Sequence, residues 1–304
     1  MLKIMPCHVL LATMMNPRCI ACILMIRLKD VERITSDDAK RLIFSIDLLR
    51  YCAELLEENR DLLTTELLTH LFKKVKSFSK IDDLYCEDKR RLNDLCRRVR
   101  ESLSKYLEEL SSDDKLKTAV KAAVVGNALD MVMVERAPDV EELLNEIKRA
   151  KLAIDDSAVL REVEDKKILY LLDNNGEALL DSVLAEELRR RGANVIGVVK
   201  EAPFQDDVYK NDEIISELEK SFTKIISSGS SGGSILLEEV KEDFRKELET
   251  ADLLISKGIA NFEYLEAVRD EIRKPMLYMF KVKCELLSKA LGVPIGSYVV
   301  KLRK

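Results

Sequence analysis

Apolar residues recur at helical spacing through the first half of the chain. The pattern of spaced leucine and isoleucine residues predicts a series of amphipathic helices and few strands between about residues 17 and 160. Polar capping residues or a first-turn proline mark several of the expected helix starts. These starts lie near Thr35, Asp61, Asp83, Asp113 and Pro138, and the Asp113 helix should be interrupted near Gly126. The N-terminal half is therefore predicted to be all-α.

The second half alternates between short apolar runs and amphipathic segments. The apolar runs predict strands at Ile168–Leu172, Val195–Val199, Thr223–Ser227, Leu253–Ser256, Met276–Val282 and Tyr298–Leu302. The intervening segments predict helices at Ala178–Arg191, Asp207–Lys220, Ile235–Glu249, Phe262–Arg273 and Cys284–Leu291. Alternation at this spacing favours an α/β fold with a doubly wound, largely parallel sheet.

The domain boundary is expected in the polar segment that precedes the first strand. We place a helical domain at residues 1–160 and an α/β domain at residues 161–304. Residues 1–13 belong to the first domain or form an extension ahead of a start at Met14 or Met15.

Composition excludes several classes of function. The net charge of −5, with no dominant basic stripe, argues against a general nucleic-acid binder. The apolar stretch from Val9 to Ile26 is broken by Asn16-Pro17-Arg18, so we expect no membrane span. The seven dispersed cysteines are typical of a protein with reduced thiols, which favours a cytoplasmic location. Cys19-x-x-Cys22 lacks further zinc ligands nearby, so we expect helix-packing thiols, with a labile disulfide as the alternative.

Acidic and amide side chains follow the first predicted strand of the second half. Ile168–Leu172 leads directly into Asp173-Asn174-Asn175-Gly176-Glu177. Ligands of open α/β sheets bind at the carboxyl ends of such strands, and the turn lacks the glycine pattern of a dinucleotide site. Carboxylate and amide oxygens suit Mg²⁺ or Mn²⁺, although an ordinary capped turn has the same composition. Glu177 would orient a metal-bound water or simply favour the helix dipole.

Further candidate residues follow the later strands. Asp206 and Asp207 come after Val195–Val199 and would approach Asp173 across the sheet edge, unless they only start a helix. The Ser- and Gly-rich segment 227–234, which includes Ser228 and Gly229, suits a phosphate at a helix N-terminus or a flexible connector.

Two lysines are placed to neutralise an anion. Lys257 lies in a Ser256-Lys257-Gly258 corner at the end of a predicted strand, and Lys283 is better placed than Lys281 at the end of the next strand. In the helical half, Asn127 and Asp130 share one face of a helix. For that pair, a slightly irregular helix with solvent-facing polar groups is the simpler interpretation.

The motifs together resemble those of a known family. In chain order they are Gly126-Asn127-x-x-Asp130, Asp173-Asn174-x-Gly176-Glu177, Pro203 followed by Asp206-Asp207, and Ser256-Lys257-Gly258-x-x-Asn261-Phe262-Glu263. This order resembles the metal-dependent damage-control phosphatases, also called the domain of unknown function 89 family, over about residues 17–300. The likeness is closest to the short archaeal-type members. It implies an all-α N-terminal part packed on a three-layer αβα Rossmann-like sandwich.

The resemblance also implies an activity and a set of site residues. It implies hydrolysis of small phosphomonoesters, such as sugar phosphates or damaged phosphometabolites, with Mn²⁺, Co²⁺, Ni²⁺ or Mg²⁺. The metal ligands would be Asp173, Asn174 and Asp207, with Asp206 replacing the asparagine of the family's Pro-x-x-Asn-Asp pattern. Lys257 would act in catalysis with Asp173 and Asn174. Substrate contacts would come from Asn127, Asp130, Ser228, Gly229, Ser256, Gly258, Asn261 and Lys283. The binding partner would be a small phosphorylated metabolite rather than nucleic acid or membrane.

The sequence leaves alternatives for the nucleophile and for the function. An aspartyl-phosphate mechanism uses an Asp-x-Asp pair, and Asn175 stands where the second acid would be. We therefore favour a metal-activated water over Asp173 as nucleophile. A methyltransferase dependent on S-adenosylmethionine would use a similar sheet but needs a glycine-rich turn after the first strand. A non-catalytic metal-binding protein is the third interpretation.

Overall fold

Three N-terminal helices form a small core of their own. The computed structural model describes residues 15–129 and 138–304. Its first helices are α1 Pro17–Ile34, α2 Asp38–Glu58 and α3 Thr64–Lys76. The side chain of Asp37 caps α2 by accepting hydrogen bonds from the backbone N–H groups of Ala39 and Lys40. Apolar side chains of the three helices pack together in one cluster.

The next three helices pack on the sheet. They are α4 Cys86–Glu108, α5 Ser112–Gly126 and α6 Val140–Arg149. The expected first-turn role of Pro138 is wrong, because α6 begins later. Asp139 is its N-cap residue and forms a reciprocal capping box with Glu142. The described part of the helix predicted from Asp113 ends at Gly126, and residues 130–134 of that prediction lie outside the described residues.

The described residues form one seven-stranded sheet. Its strands are β1 Leu152–Asp155, β2 Lys167–Leu171, β3 Asn194–Val199, β4 Lys224–Ser227, β5 Leu253–Lys257, β6 Met276–Lys281 and β7 Tyr298–Arg303. Their order is β1-β7-β6-β5-β2-β3-β4, and all neighbours are parallel except β6 and β7. All the predicted strands are confirmed. The short β1, half of whose residues are exposed, was not predicted; it precedes residue 160 and yet joins the sheet beside β7.

The strand order places a switch point between β2 and β5. From β2 the chain moves outward to β3 and β4, and it then returns to β5 on the other side of β2. Leu171 at the end of β2 pairs with Ser256 near the end of β5. The crevice at the carboxyl ends of these two strands is the position where open α/β sheets bind ligands.

Helices cover both faces of the sheet. One face packs against α4–α6 and against α7 Glu177–Arg190 and α8 Ile215–Ser221. The other packs against α9 Glu242–Glu249, α10 Ile259–Ala267 and α11 Glu285–Leu291. The α/β class and its three αβα layers are thereby confirmed. None of the helices within the described residues has the length and hydrophobicity to cross a lipid bilayer.

Two helices are shorter than predicted, because the residues expected in their first turns form hydrogen bonds with other segments. The predicted Asp207–Lys220 helix begins only at Ile215, since residues 207–209 pair with the turn after β2 and with the end of β3. The predicted Ile235–Glu249 helix begins at Glu242. Ahead of it, Leu237 donates its backbone N–H to the hydroxyl of Tyr264. The helix predicted at Phe262–Arg273 is displaced to Ile259–Ala267.

Candidate active site

The turn after β2 and the segment after β3 lie against each other. Asn174 and Asp207 form an antiparallel bridge, and the backbone N–H of Val208 donates to the carbonyl of Asp173 at 2.9 Å. Asn174 and Asp207 are almost fully buried, whereas Asp173 is partly exposed. The structure therefore brings together the two carboxylates and the amide that the sequence suggested as metal ligands.

Asn175 fastens the two segments together. Its side-chain amide donates to the backbone carbonyls of Asp206 and Asp207 at 3.1 and 3.2 Å and to the carboxylate of Asp212 at 2.8 Å. Its carbonyl oxygen accepts from the amide of Asn93 on α4 at 3.1 Å. This role could not be predicted from the sequence, because the partners of Asn175 are remote along the chain.

The electrostatics of Asp173 favour a cation. Burial raises the pKa of Asp173 well above its usual range, and the nearby carboxylates of Asp207 and Glu177 raise it further. Lys200 and Lys283 oppose this rise in the pKa. The Lys200 ammonium is buried, and its nitrogen is 3.4 Å from an oxygen of Asp207. Neighbouring carboxylates that raise one another's pKa in this way are stabilised by a positive ion between them.

Behind the turn, Lys257 joins two acids of α7. Its ammonium donates to Glu177 at 2.5 Å, to Asp181 at 2.6 Å and to the carbonyl of Ala123 on α5 at 2.7 Å. Burial acts to lower the pKa of Lys257, but Asp181 and Glu177 together raise it. Burial also raises the pKa of Asp181 to about 7 against the opposing effect of Lys257. All these side chains are fully buried.

This geometry corrects the expected roles of Lys257 and Glu177. An ammonium has three N–H groups, and those of Lys257 are matched by three protein acceptors, so it does not face a substrate. Glu177 accepts from Asn127, Asn174 and Lys257. It therefore lies behind Asn174 as an organising acceptor, and its carboxylate is not placed to orient water. Because the Asn174 nitrogen donates to Glu177, its oxygen is the end of the amide left for a cation.

Asn127 and Gly258 lie beside the Asp173 carboxylate. The Asn127 amide donates to Asp173 at 3.2 Å, and its oxygen accepts from the backbone N–H of Lys281 at 3.1 Å. Asn127 is thus buried within the site, and the interpretation of a solvent-facing residue is wrong. Gly258 has φ +79°, and a Cβ there would lie 1.9 Å from a carboxylate oxygen of Asp173. Asp130, the predicted neighbour of Asn127, lies outside the described residues.

Other predicted substrate contacts are inside the protein. The Asn261 side chain accepts from the Ser234 hydroxyl at 2.8 Å and donates to the Lys257 carbonyl at 2.8 Å, so it ties two loops together. The buried Ser256 hydroxyl has no hydrogen-bond partner among the described residues. Both side chains are buried and outside the cavity lining, and their contacts with substrate stay predictions.

The Ser- and Gly-rich segment is an ordered loop. The Ser228 hydroxyl donates to the Val199 carbonyl at 3.3 Å and accepts from the backbone N–H of Ser230 at 3.2 Å. Gly229, at φ +92°, lies against Lys241. These hydrogen bonds fix the loop, so the flexible-connector interpretation is wrong. Neither Ser228 nor Gly229 lines the cavity described below, and their contact with phosphate stays a prediction.

A cavity of about 310 Å³ opens above Asp173, Asn174 and Asp207, which we call the oxygen cluster. Its lining combines the cluster with α1, α3, the start of α10 and the turn that enters α11. The lining residues are Arg18, Cys19, Cys22, Ile23, Ile26, Thr64, Leu68, Asp173, Asn174, Phe204, Gln205, Asp206, Asp207, Gly233, Ile259, Ala260, Glu263, Lys283, Cys284, Glu285 and Leu286.

The cavity places Lys283 and the Cys19-x-x-Cys22 pair at the site. Lys283 lines the cavity together with Asp173, as its position after β6 suggested. Cys19 and Cys22 also line it and are free thiols, so they are not joined in a disulfide. Burial, with Glu263 and the neighbouring thiols, raises the pKa of Cys19 to about 11, which keeps its thiol protonated.

The donor set at the cavity floor fits a hard cation. In residues 15–129 and 138–304, no group of three or more His, Cys, Asp or Glu side chains is arranged to hold a metal. The candidate set contains two carboxylates and one amide oxygen, which are the donors that Mg²⁺ and Mn²⁺ prefer alongside water and phosphate oxygens. Cys19 and Cys22 likewise form no soft-metal site with other described residues.

Comparison with known proteins identifies the family. Residues 15–299 match the family model described as the damage-control phosphatase ARMT1-like domain, so the chain belongs to this phosphatase family. It is 30% identical over 296 residues to a protein named damage-control phosphatase from Archaeoglobus fulgidus, covering 94% of this chain and 98% of that one. An uncharacterised protein of Methanocaldococcus jannaschii is 31% identical over 297 residues, covering 95% of each chain.

A solved structure agrees with this assignment. The crystal structure of a domain of unknown function 89 family protein from Pyrococcus horikoshii superposes with a TM-score of 0.81 at 28% identity. The match covers 96% of this chain and all of that one. The predicted family is confirmed, and the family supports a phosphatase role for the chain.

Proposed function

We propose that the protein is a divalent-metal-dependent phosphatase that hydrolyses small phosphomonoesters. The observation that carries the proposal is the meeting of Asp173, Asn174 and Asp207 at the floor of a cavity at the switch point of the sheet. Family membership supports the phosphatase class. Mn²⁺, Co²⁺, Ni²⁺ and Mg²⁺ all accept oxygen ligands of this kind.

Asp173, Asn174 and Asp207 would hold the metal ion. When bound, the ion supplies Lewis-acid stabilisation of a phosphoryl oxygen and lowers the pKa of a coordinated water. Asn127 and Gly258 fix the Asp173 carboxylate, the first by a hydrogen bond and the second by leaving space. Lys200 pairs with Asp207 and limits the repulsion between the two acids.

Lys283 is the candidate for binding the phosphate. It lines the cavity beside Asp173, and its positive charge acts to lower the pKa of that carboxyl group. A lysine placed at the site offsets negative charge that spreads over the phosphoryl oxygens during transfer. Lys257 would act indirectly, by holding Glu177 where Glu177 orients the amides of Asn127 and Asn174.

A screen of phosphorylated metabolites across divalent metals tests this proposal. We expect hydrolysis to require added metal and to disappear with EDTA. Because even outer-shell partners of a metal contribute roughly 10- to 100-fold, Asp207→Asn should lower kcat/KM at least about 100-fold. Asp206→Asn is the matched control, since it changes the neighbouring acid to the residue of the family pattern, and it should retain activity within about tenfold. Equal losses in the two variants would contradict the assignment of Asp207 as ligand.

A further inference from the structure

The wall of the cavity differs chemically from its floor. The floor carries Asp173, Asn174 and Asp207. Most of the surface of the wall above it is apolar, although the polar side chains of Thr64, Gln205, Asp206 and Glu263 also line the cavity. The apolar wall residues are Ile23, Ile26, Leu68, Phe204, Ile259 and Leu286. The volume of about 310 Å³ is at the lower end of the range for pockets that bind small organic ligands.

Two of the wall residues lie outside the hydrophobic clusters that the described residues form. Ile23, Leu68, Phe204 and Ile259 also pack within the hydrophobic clusters. Ile26 and Leu286, by contrast, belong to none of the clusters formed by the described residues, although both line the cavity. Their apolar surface is therefore directed to the cavity without contributing to a core, which is what a surface that contacts a ligand would require.

Several charged groups at the rim bind each other. Arg18 on α1 and Glu285 on α11 both line the cavity and form an ion pair at 2.5 Å. Lys289 also pairs with Glu285, at 2.7 Å. Thr64, Gln205 and Glu263 could each bond to a hydroxyl group, but most of the lining surface is carbon. Most hydroxyl groups of a polyol in this space would therefore have no partner, which is costly.

From this arrangement we infer that the preferred substrates carry an apolar alkyl or aryl group on the phosphate ester, rather than a polyol. Ile26 and Leu286 are the residues that determine this specificity. The inference rests on the proposed phosphatase function and adds the class of leaving group. The phosphate would lie at the floor with the oxygen cluster and Lys283, and the organic group would extend along the apolar wall.

A pair of six-carbon substrates separates the two classes of leaving group. Hexyl phosphate and sorbitol 6-phosphate are both primary phosphomonoesters on a six-carbon chain and differ in their hydroxyl groups. With the full-length, Mn²⁺-loaded protein, we expect kcat/KM for hexyl phosphate to exceed that for sorbitol 6-phosphate by at least about tenfold. Along the series from propyl to hexyl phosphate, kcat/KM should rise by up to about fourfold per methylene group. A preference for sorbitol 6-phosphate, or no dependence on chain length, would overturn the inference.

Variants of the wall locate the preference. Ile26→Asn and Leu286→Asn should each lower the ratio of kcat/KM for the hexyl ester to that for the sorbitol ester by about tenfold. Met25→Asn is the matched control, because Met25 is next to Ile26 on α1, is 64% exposed and does not line the cavity. It should leave the ratio unchanged. An equal change in Met25→Asn and Ile26→Asn would overturn the assignment.

Binding measurements distinguish failure of this inference from failure of the proposed function. Calorimetry of the Mn²⁺-loaded protein with hexylphosphonate and with a polyol phosphonate of the same length reports the cavity without any reaction. Tighter binding of hexylphosphonate, lost in Ile26→Asn, supports the apolar specificity even if no ester is hydrolysed, and in that case the phosphatase proposal alone fails. Equal binding of the two phosphonates overturns the inference whether or not hydrolysis occurs.

Discussion

Gly258 leaves the space that the Asp173 carboxylate occupies. Its backbone, at φ +79° and ψ 164°, lies in a region that is nearly confined to glycine, and a Cβ would lie 1.9 Å from an Asp173 oxygen. Gly258→Ala should therefore displace Asp173 and lower kcat/KM by at least about 100-fold, in addition to destabilising the protein by about 1–3 kcal/mol. Steady-state kinetics and thermal unfolding measure the two effects separately.

Gly292 provides the control for backbone strain alone. It also has a positive φ, +70°, but nothing lies within 4 Å of an added Cβ. Gly292→Ala should lower the free energy of unfolding by about 1–2 kcal/mol and leave kcat/KM unchanged. If both alanine variants lost activity equally, the close approach to Asp173 would not explain the glycine at position 258.

Glu263, which lines the cavity, should make the stability of the protein depend on pH. Burial raises the pKa of this carboxyl group from 4.5 to about 7. Between these two values the folded protein binds more protons than the unfolded chain, so stability falls as the pH rises through that window. Glu263→Gln should remove this fall. The melting temperatures of the variant and the wild type should agree near pH 4.5, and the variant should be the more stable at pH 8. A wild type that is more stable than the variant at pH 8 would contradict the raised pKa.

At the residue scale, the sequence predicted where the candidate site residues lie, because they follow strands. It did not predict the direction in which a side chain such as that of Lys257 points. Asp173, Asn174 and Asp207 were predictable because they follow strands whose carboxyl ends share an edge. The direction of the Lys257 side chain was not predictable. Every residue of β5 is buried, so no alternation of apolar and polar residues shows which face of the sheet a side chain points to. The contact that Asn175 makes with Asn93 joins residues far apart in sequence and leaves no local pattern.

At the element scale, Lys257 fastens α7 to β5 and α5. Its ammonium is the positive charge that contacts Glu177 and Asp181, and all three side chains are fully buried. Lys257→Met would leave both carboxylates in the core without a neutralising positive charge, and we expect a loss of about 3–5 kcal/mol in the free energy of unfolding. Denaturant unfolding measures this loss, with the midpoint shifting at an unchanged slope.

Two comparisons separate the buried network from ordinary ion pairs. Adding Glu177→Gln and Asp181→Asn to Lys257→Met removes the uncompensated charges and should recover part of the lost stability. Lys224→Met breaks a pair with Glu247 in which the lysine side chain is 49% exposed, and it should cost less than about 1 kcal/mol. Similar losses in Lys224→Met and Lys257→Met would argue that burial of the network is unimportant.

Helix length was the element-scale feature that the sequence predicted least well. Residues 207–214 have the composition of a helix start, but the backbone of Val208 is used by the carbonyl of Asp173. A hydrogen bond of this kind to a remote segment outweighs a weak local preference for helix. The six predicted strands lie within about a residue of their observed bounds, because each is a short apolar run between polar segments.

At the scale of the whole molecule, the site joins parts of the chain that fold in different layers. The oxygen cluster lies in segments that follow strands of the sheet, Asn127 comes from the end of α5, and part of the cavity wall comes from α1 and α3. The sequence predicted the αβα layers through strand–helix alternation. It did not predict that the small N-terminal core would cover the sheet edge, because amphipathic periodicity shows that a helix packs but not which surface it packs against.

A ligand that binds only the folded arrangement of Asp173, Asn174 and Asp207 should stabilise the whole chain. Binding at a metal concentration about 100 times the Kd contributes about 2.7 kcal/mol, which for a chain of this size corresponds to a rise of roughly 5 °C in Tm. Mn²⁺ should therefore raise the Tm in a scan of thermal unfolding, and EDTA should reverse the rise. Asp207→Asn should abolish the response, whereas Asp206→Asn should keep it. Because this measurement needs no substrate, a response that survives in Asp207→Asn would refute the metal site independently of any assay of activity.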